Sequence, residues 1–225
     1  MTTFPVSDLN RVKRIPKRGA YDADIIYPIL DAGFVCHVAF NETDADGKVQ
    51  LFVIPTLYAR ADETILLHGA TTSRMIQHAA AGNRLCITVT HIDGIVMARS
   101  VFHHSINYRS AVVFGTGALL EDEDAKRAAM RAFTERLLPG RWDDSRPPNP
   151  VEMKATSIVA VTMESASAKV RTGDPGDDED DIALPYWAGV LPLTVRAGDP
   201  IPAPNLHDGI AVPAYLSAYI AARNR

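Results

Sequence analysis

The residues best suited to chemistry lie in the stretch LLHGATTSRMIQHA, residues 66–79, where an apolar run ends at His68-Gly69 and a helical pattern begins within a few positions. Thr71, Thr72 and Ser73 offer hydroxyl donors, and the first turn of a helix offers unpaired backbone N–H groups. Arg74 adds a planar guanidinium fork suited to bidentate oxygen contact. Together these groups suit a phosphate monoester. The alternative is plainer: Thr72 or Ser73 caps the helix and Arg74 points to water. The pattern GxxxxGK[ST] of a nucleotide-binding P-loop is missing.

A second cluster, FHHSINYRSAVVFG, gathers His103, His104, Ser105, Asn107, Tyr108, Arg109 and Ser110 between two strands, as a lined pocket or an interface would. His103 and His104 are adjacent, so in extended chain they face opposite ways and chelate poorly. His91 and Asp93 could join His103 in a two-histidine, one-carboxylate iron site, but no spacing compels it. GxSxG, HExxH and SxxK motifs are missing, and GTGALL carries only the first two glycines of a dinucleotide fingerprint. Trp187, in PYWAGVLPL, can anchor a segment or stack on a planar ring.

The elements that must position these groups read mainly as strands. From Gly33 to Leu120, short runs rich in Val, Ile, Phe and Thr alternate with turn residues. The expected strands are 34–40, 49–59, 64–69, 84–91, a hairpin arm over 95–102, and a long strand through YRSAVVFGTGALL. DADGK and HIDGI supply Asp-Gly pairs for tight hairpin turns. Helices are expected after Asp22 as far as Gly33, over SRMIQHAAA, from about Asp122 to Leu138, and around 214–222. SIVAVTMESASAKVR reads as one or two strands that close the sheet. The acidic loop DPGDDEDD lacks the glycine and final glutamate of a calcium loop and reads as a solvated connector.

At 225 residues the chain fits one domain with extensions: a basic arm over 1–20, a barrel domain over 21–195 and a C-terminal extension over 196–225. With 23 Lys and Arg against 27 Asp and Glu, the formal net charge of -4 excludes a general polyanion binder. Arg11, Lys13, Arg14, Lys17 and Arg18 crowd the arm without interleaved aromatics, so nucleic acid is not an expected partner. Cys36 and Cys86 sit in apolar runs, as buried thiols do. The apolar runs fall far short of the ~20 residues that span a bilayer, and the polar start lacks a signal peptide's apolar core; the expected address is the cytoplasm.

The order RIPKRGAYD, VCHVAF, VIPTLY, LLHGATTSR, NYRSAVVFG, PGRWDDSRPPNP and PYWAGVLPL resembles the flavin-nucleotide-binding branch of the pyridoxamine 5'-phosphate oxidase superfamily, from about Arg11 to Leu193. The resemblance implies a mainly β fold, a six-stranded antiparallel split β-barrel with peripheral helices, built as a homodimer with FMN at the interface. It implies that Thr71, Thr72, Ser73 and Arg74 grip the flavin phosphate, that Pro55 and Thr56 lie along the ring, and that His68 and Gly69 stand close to it. It brings Asn107, Arg109 and Ser110 from the partner chain and lets Trp187 cover the isoalloxazine. His68 then tunes flavin or substrate rather than acting as a nucleophile. The Arg-Leu-containing closing strand of the authentic oxidases is missing here, so vitamin B6 oxidation is not expected. The implied function is an FMN-dependent oxidoreductase of a small organic substrate, with oxygen or a nicotinamide as electron partner. A flavin-binding module for storage or stress protection, without turnover, and a non-heme metal enzyme are the rivals.

Overall fold

The structure is a computed structural model that describes residues 2–224. Seven of its eight strands, β1 (Gly19–Ala20), β2 (Val35–Thr43), β3 (Val49–Ala61), β4 (Thr64–Ala70), β5 (Arg84–Met97), β6 (Ser105–Leu119) and β7 (Thr156–Arg171), run in the order β1-β7-β4-β3-β2-β5-β6. Every strand pairing among the described residues is antiparallel, and β6 also pairs β7 from Tyr108↔Arg171 to Leu119↔Val159. That last ladder closes six strands into a ring. The short β1 adds to β7, and β8 (Gly189–Pro192) adds to the far end of β5.

Closure leaves an inside and an outside to each strand. Side chains alternate between them, and the inward set, including Val38, Tyr58, Leu67, Ile87, Val89, Val113 and Val161, is almost fully buried in one cluster. Two helices plug the ends of this core. Helix α1 (Ala23–Ala32) inserts Ile26, Ile29 and Leu30 at one mouth, where Tyr58 donates its hydroxyl hydrogen to the Leu30 carbonyl and His91 Nε2 lies 2.9 Å from the Ile29 carbonyl. Helix α2 (Arg74–Ala80) inserts Met75, Ile76 and Ala79 at the other, with His78 against the Phe40 ring. Burial there pushes the Cys36 thiol up to about 12, so the thiol is an inert packing group.

Outside the ring, α3 (Glu123–Leu137) lies over β3, β4 and β7. Asp122 caps it by accepting from the Ala125 N–H at 2.8 Å, and Ala129 and Phe133 bury themselves against Ala59, Leu66 and Ile158. Helix α4 (Pro150–Ala155) leads into β7. It begins with a reciprocal capping box between Asn149 and Glu152 and a proline at its start, which satisfies otherwise orphaned amides. Helix α5 (Ala214–Arg223) ends the chain, and Asn224 ties it to the Ala197 backbone through two 2.8 Å bonds.

Two expectations separate here. DADGK makes the tight turn between β2 and β3, with Gly47 at φ 78° and Asp44 accepting from the Asp46 and Lys48 amides. HIDGI makes no hairpin turn. It lies inside the single strand β5, where the ladder to β6 shifts register between Ile92 and Gly94. Gly94 serves close approach rather than a turn: a Cβ there would stand 3.0 Å from the Leu191 carbonyl oxygen of β8. The expected arm over 95–102 therefore ends at Met97, and Val101–His103 form a turn of 3-10 helix.

Candidate functional site

The hydroxyl-rich corner forms where β4 ends and α2 begins. Thr71 and Thr72 are exposed and Ser73 half-buried, and Ser73 stands at the start of α2 with its side chain making no capping bond. The Ser73 amide is used locally, donating to the Ala70 carbonyl at 2.9 Å, and the Thr71 amide donates to Ala155. Arg74 does not simply point to water. Its Nε is 3.5 Å from Glu42 and its guanidinium lies 4.4 Å from the Phe52 ring centroid. A phosphate arriving here would compete with the half-buried Glu42 for that charge, an exchange that costs little because ion pairs in contact with solvent are weak.

Pro55 and Thr56 are neighbours on β3 that face opposite ways. Pro55 is exposed on the outer face, opposite His37 of β2, while Thr56 turns to the barrel side with its hydroxyl 3.5 Å from the Leu57 carbonyl. Pro55 belongs to an uncovered outer strip with Val49, Leu51 and Val53, which are 55%, 80% and 64% exposed. Val35 of β2, opposite Leu57, is half exposed as well. Solvent contact for this many aliphatic side chains on one strand pair marks an interaction surface.

Asn107, Arg109 and Ser110 stand at the other end of the barrel. Asn107 is opposite Gly94, Arg109 is opposite His91 and Val170, and Ser110 donates to the Lys169 carbonyl at 3.3 Å. Arg109 is held by a two-pronged pair with Asp93 at 2.8 and 2.9 Å, which raises the guanidinium pKa further. Asn107 bonds Arg171 and the Gly173 carbonyl. Trp187 lies just before β8 at the same end and is 68% exposed. His68 pairs with Ile158 near the start of β7, whereas Arg109 pairs with Val170. Measured along β7, the stretch from Ile158 to Val170 spans at most about 40 Å at ~3.3 Å per residue. One chain therefore does not join the two groups.

The residues of the iron-type alternative are each engaged elsewhere: His91 with Ile29, Asp93 with Arg109, and His103 with Asp178 at 3.2 Å. Among the described residues, no group of three or more His, Cys, Asp and Glu side chains could hold a metal ion.

The feature the sequence did not reveal is a cleft of about 380 Å³ between α3 and the wall made by β3, β4 and β7. His68 lines it beside Leu57, Phe133 and Trp142, with Arg146 and Glu152 at its polar side. The imidazole ring is 4.5 Å from the Phe133 ring at 59°, and its Nδ1 is buried with no hydrogen-bond partner. Burial lowers the His68 pKa below its ordinary 6.5, so the ring is neutral at pH 7. The signal available in the sequence was Met130, Phe133 and Leu137, which recur at helical spacing on α3 and give the helix an apolar face. No such spacing says that the face stops short of sealing His68 in.

The family model for pyridoxamine 5'-phosphate oxidase matches residues 22–170. The chain belongs to that family, among the flavin-binding split-barrel proteins of the pyridoxamine 5'-phosphate oxidase-like superfamily. It is similar along nearly its whole length to the flavocytochrome Anf3 from Azotobacter vinelandii, with 34% identity, a TM-score of 0.86, and 94% of this chain and 96% of that one covered. It is likewise similar to the FAD and heme binding protein from Mycobacterium smegmatis, with 33% identity, a TM-score of 0.81, and 89% and 96% covered. No curated protein matches the chain. The expected split barrel and superfamily are thus both found. Among the described residues, no helix is long and apolar enough to cross a membrane.

Proposed function

We propose that this chain is a flavin-dependent oxidoreductase that works as a homodimer and, like the two relatives named above, also holds heme. The observation that carries the reading is the bare apolar strip of Val49, Leu51 and Val53, which runs toward Pro55 on the same face of β3. A second copy seated on that strip covers it. The copy also supplies what one chain lacks, bringing Asn107, Arg109, Ser110 and Trp187 of the partner subunit toward the corner of Thr71, Thr72, Ser73 and Arg74. In this reading the corner takes the flavin phosphate, while Pro55, Thr56 and Gly69 border the ring. Pro55 removes one ladder donor and leaves neighbouring backbone groups free for a ring edge.

When bound, a flavin supplies two-electron chemistry and a heme one-electron chemistry, while the protein orients both and sets their electrostatics. The substrate in this reading is a small organic molecule, with oxygen or a nicotinamide as electron partner. FMN is the flavin that the phosphate corner alone calls for. FAD, named for the M. smegmatis relative, is favoured by a groove of about 310 Å³ in which Arg11, Lys13 and Arg14 meet Ser110, Ser167 and Lys169. Those cations suit a second phosphate.

The test is direct. Purified protein should be yellow, sediment as a dimer, and release its flavin on denaturation, whose mass distinguishes FMN from FAD. Oxidation of NADPH or NADH by the loaded protein separates an enzyme from a flavin module without turnover. A colourless monomer that takes up neither flavin overturns the proposal.

A further inference from the structure

Resting on the flavin reading, we infer that the cavity between α5 and β5 is the substrate pocket and that Arg223 binds a carboxylate there, so that the small organic substrate is an anion with an apolar body. The cavity holds about 600 Å³, within the ~300–1,000 Å³ of small-molecule sites. It is lined by β5, by Arg109 of β6, by the segment that follows β8 and by the end of α5. In the proposed dimer Arg109 turns toward the flavin, so a molecule in this cavity lies beside it.

The charges select the ligand. Asp93 is committed to Arg109 through their two-pronged pair at 2.8 and 2.9 Å, and the two cancel. Two further arginines meet the Phe34 ring. Arg136, 6.0 Å from its centroid, spends its guanidinium on the Leu30 and Gly33 carbonyls and so caps the end of α1. Arg223, 5.2 Å from the same centroid, has no carboxylate partner among the described residues. A guanidinium lying over a ring keeps the N–H groups of its edge for planar, two-point contact with a carboxylate. Arg223 is therefore the uncompensated charge of the cavity. One fork matches the single charge of a carboxylate, whereas a phosphate monoester, with nearly twice that charge, calls for more donors.

The other walls set the body of the ligand. Ile92, Leu193 and Val195 present exposed apolar side chains to the cavity, which an apolar group on the substrate would cover. The walls are held in place. The Leu193 amide donates to the Asp93 carbonyl at 3.1 Å. Helix α5 is fastened at one end by Asn224 on Ala197 and at the other by the Tyr215 hydroxyl, which donates to Asp144 at 2.6 Å and accepts from Arg141 at 3.1 Å. Both the post-β8 segment and Arg223 lie beyond residues 22–170 of the family match, so the anion anchor is not part of the matched barrel.

The experiment titrates benzoate, its neutral isostere benzamide and phenyl phosphate into the purified full-length chain, by calorimetry and by the absorption spectrum of the bound flavin. Benzoate should bind at one site per chain and perturb the flavin spectrum, with benzamide and phenyl phosphate weaker. Arg223→Ala should weaken benzoate about tenfold or more, the scale of a lost charge-assisted contact, with flavin content, sedimentation and near-UV dichroism unchanged. Arg223→Lys, which keeps the charge and the fold but not the fork, should fall between the two. Equal benzoate affinity in all three proteins overturns the assignment of Arg223, and equal affinity for benzoate and benzamide overturns the anionic substrate. Tighter binding of phenyl phosphate overturns the carboxylate. Benzoate heat without a change in the flavin spectrum overturns the placement beside the flavin. A chain that takes up no flavin overturns the proposed function instead, and calorimetry on that flavin-free chain still reads whether Arg223 holds the anion.

Discussion

The two halves of the outer face of β3 carry the same alternating pattern and meet opposite fates. Leu57 and Ala59 lie beneath α3, packed with Leu66, Ala129, Phe133 and Ile158. Val49, Leu51 and Val53, on the same side of the same strand, are mostly exposed. Strand propensity does not distinguish them, since the outer face is apolar in both halves. What differs is whether a helix of this chain reaches them. A surface whose hydrophobicity exceeds what its own chain covers is shaped for something else, which in the proposed function is a second copy with its flavin. The lid half is not sealed either, because α3 leaves the His68 cleft open at one side.

The covered half should respond to mutation as core. Phe133→Ala is expected to lower folding stability by about 3–5 kcal/mol, read as a loss of midpoint in urea unfolding. A loss below about 1 kcal/mol would show that α3 is a loosely attached flap and would erase the contrast. In the bare half, Leu51→Asp should leave monomer stability within about 0.5 kcal/mol. It should instead weaken the dimer roughly a hundredfold, about 2.8 kcal/mol, measured by sedimentation at several concentrations. An unaltered dimer would move the interface elsewhere.

The corner beyond β4 gives a smaller effect. Arg74→Ala should weaken flavin binding by about 1.5–3 kcal/mol, the scale of a charge-assisted contact, and Glu42→Gln should strengthen binding by releasing Arg74 from its competitor. Fluorescence titration with FMN and with FAD measures both, and equal affinities in all three proteins would remove the phosphate from this corner. The smallest effect concerns pH. His68 is neutral in folded and unfolded chains well above 6.5, its ordinary pKa, and contributes no pH dependence there. As pH falls below that value, the unfolded chain takes up a proton that the folded chain resists, so stability drops until the lowered folded pKa is passed. In His68→Phe this slope should disappear between about pH 6.5 and the lowered value, as unfolding at several pH values would record. A slope that persists belongs to another group.

Much of the barrel was legible in the sequence because it depends on neighbours. The alternation of VQLFVIPTLYA, the Asp122 cap, the turn at Gly47 and the end of α1 at Gly33 are set by residues within a few positions of one another. HIDGI misled for the same local reason. An Asp-Gly pair tolerates a tight turn, but the β8 segment nearly a hundred residues later pairs with β5 at Gly94, and β5 runs on through it as one strand. The hydroxyl corner was legible as a collection of residue types, while the Glu42 and Phe52 contacts that occupy Arg74 were not, since they come from β2 and β3.

The sequence by itself determined the residue types and the strand and helix periods, because these follow from composition and spacing along the chain, and its ordered motifs carried the resemblance to the family that the comparisons show. The tertiary structure alone decided that β6 closes onto β7, that α3 covers one half of β3 and leaves the other bare, and that His68 stands unpartnered in a cleft. Each of those outcomes joins residues about forty to nearly a hundred positions apart. They depend on which surfaces meet when the ring closes, and local spacing carries no record of that.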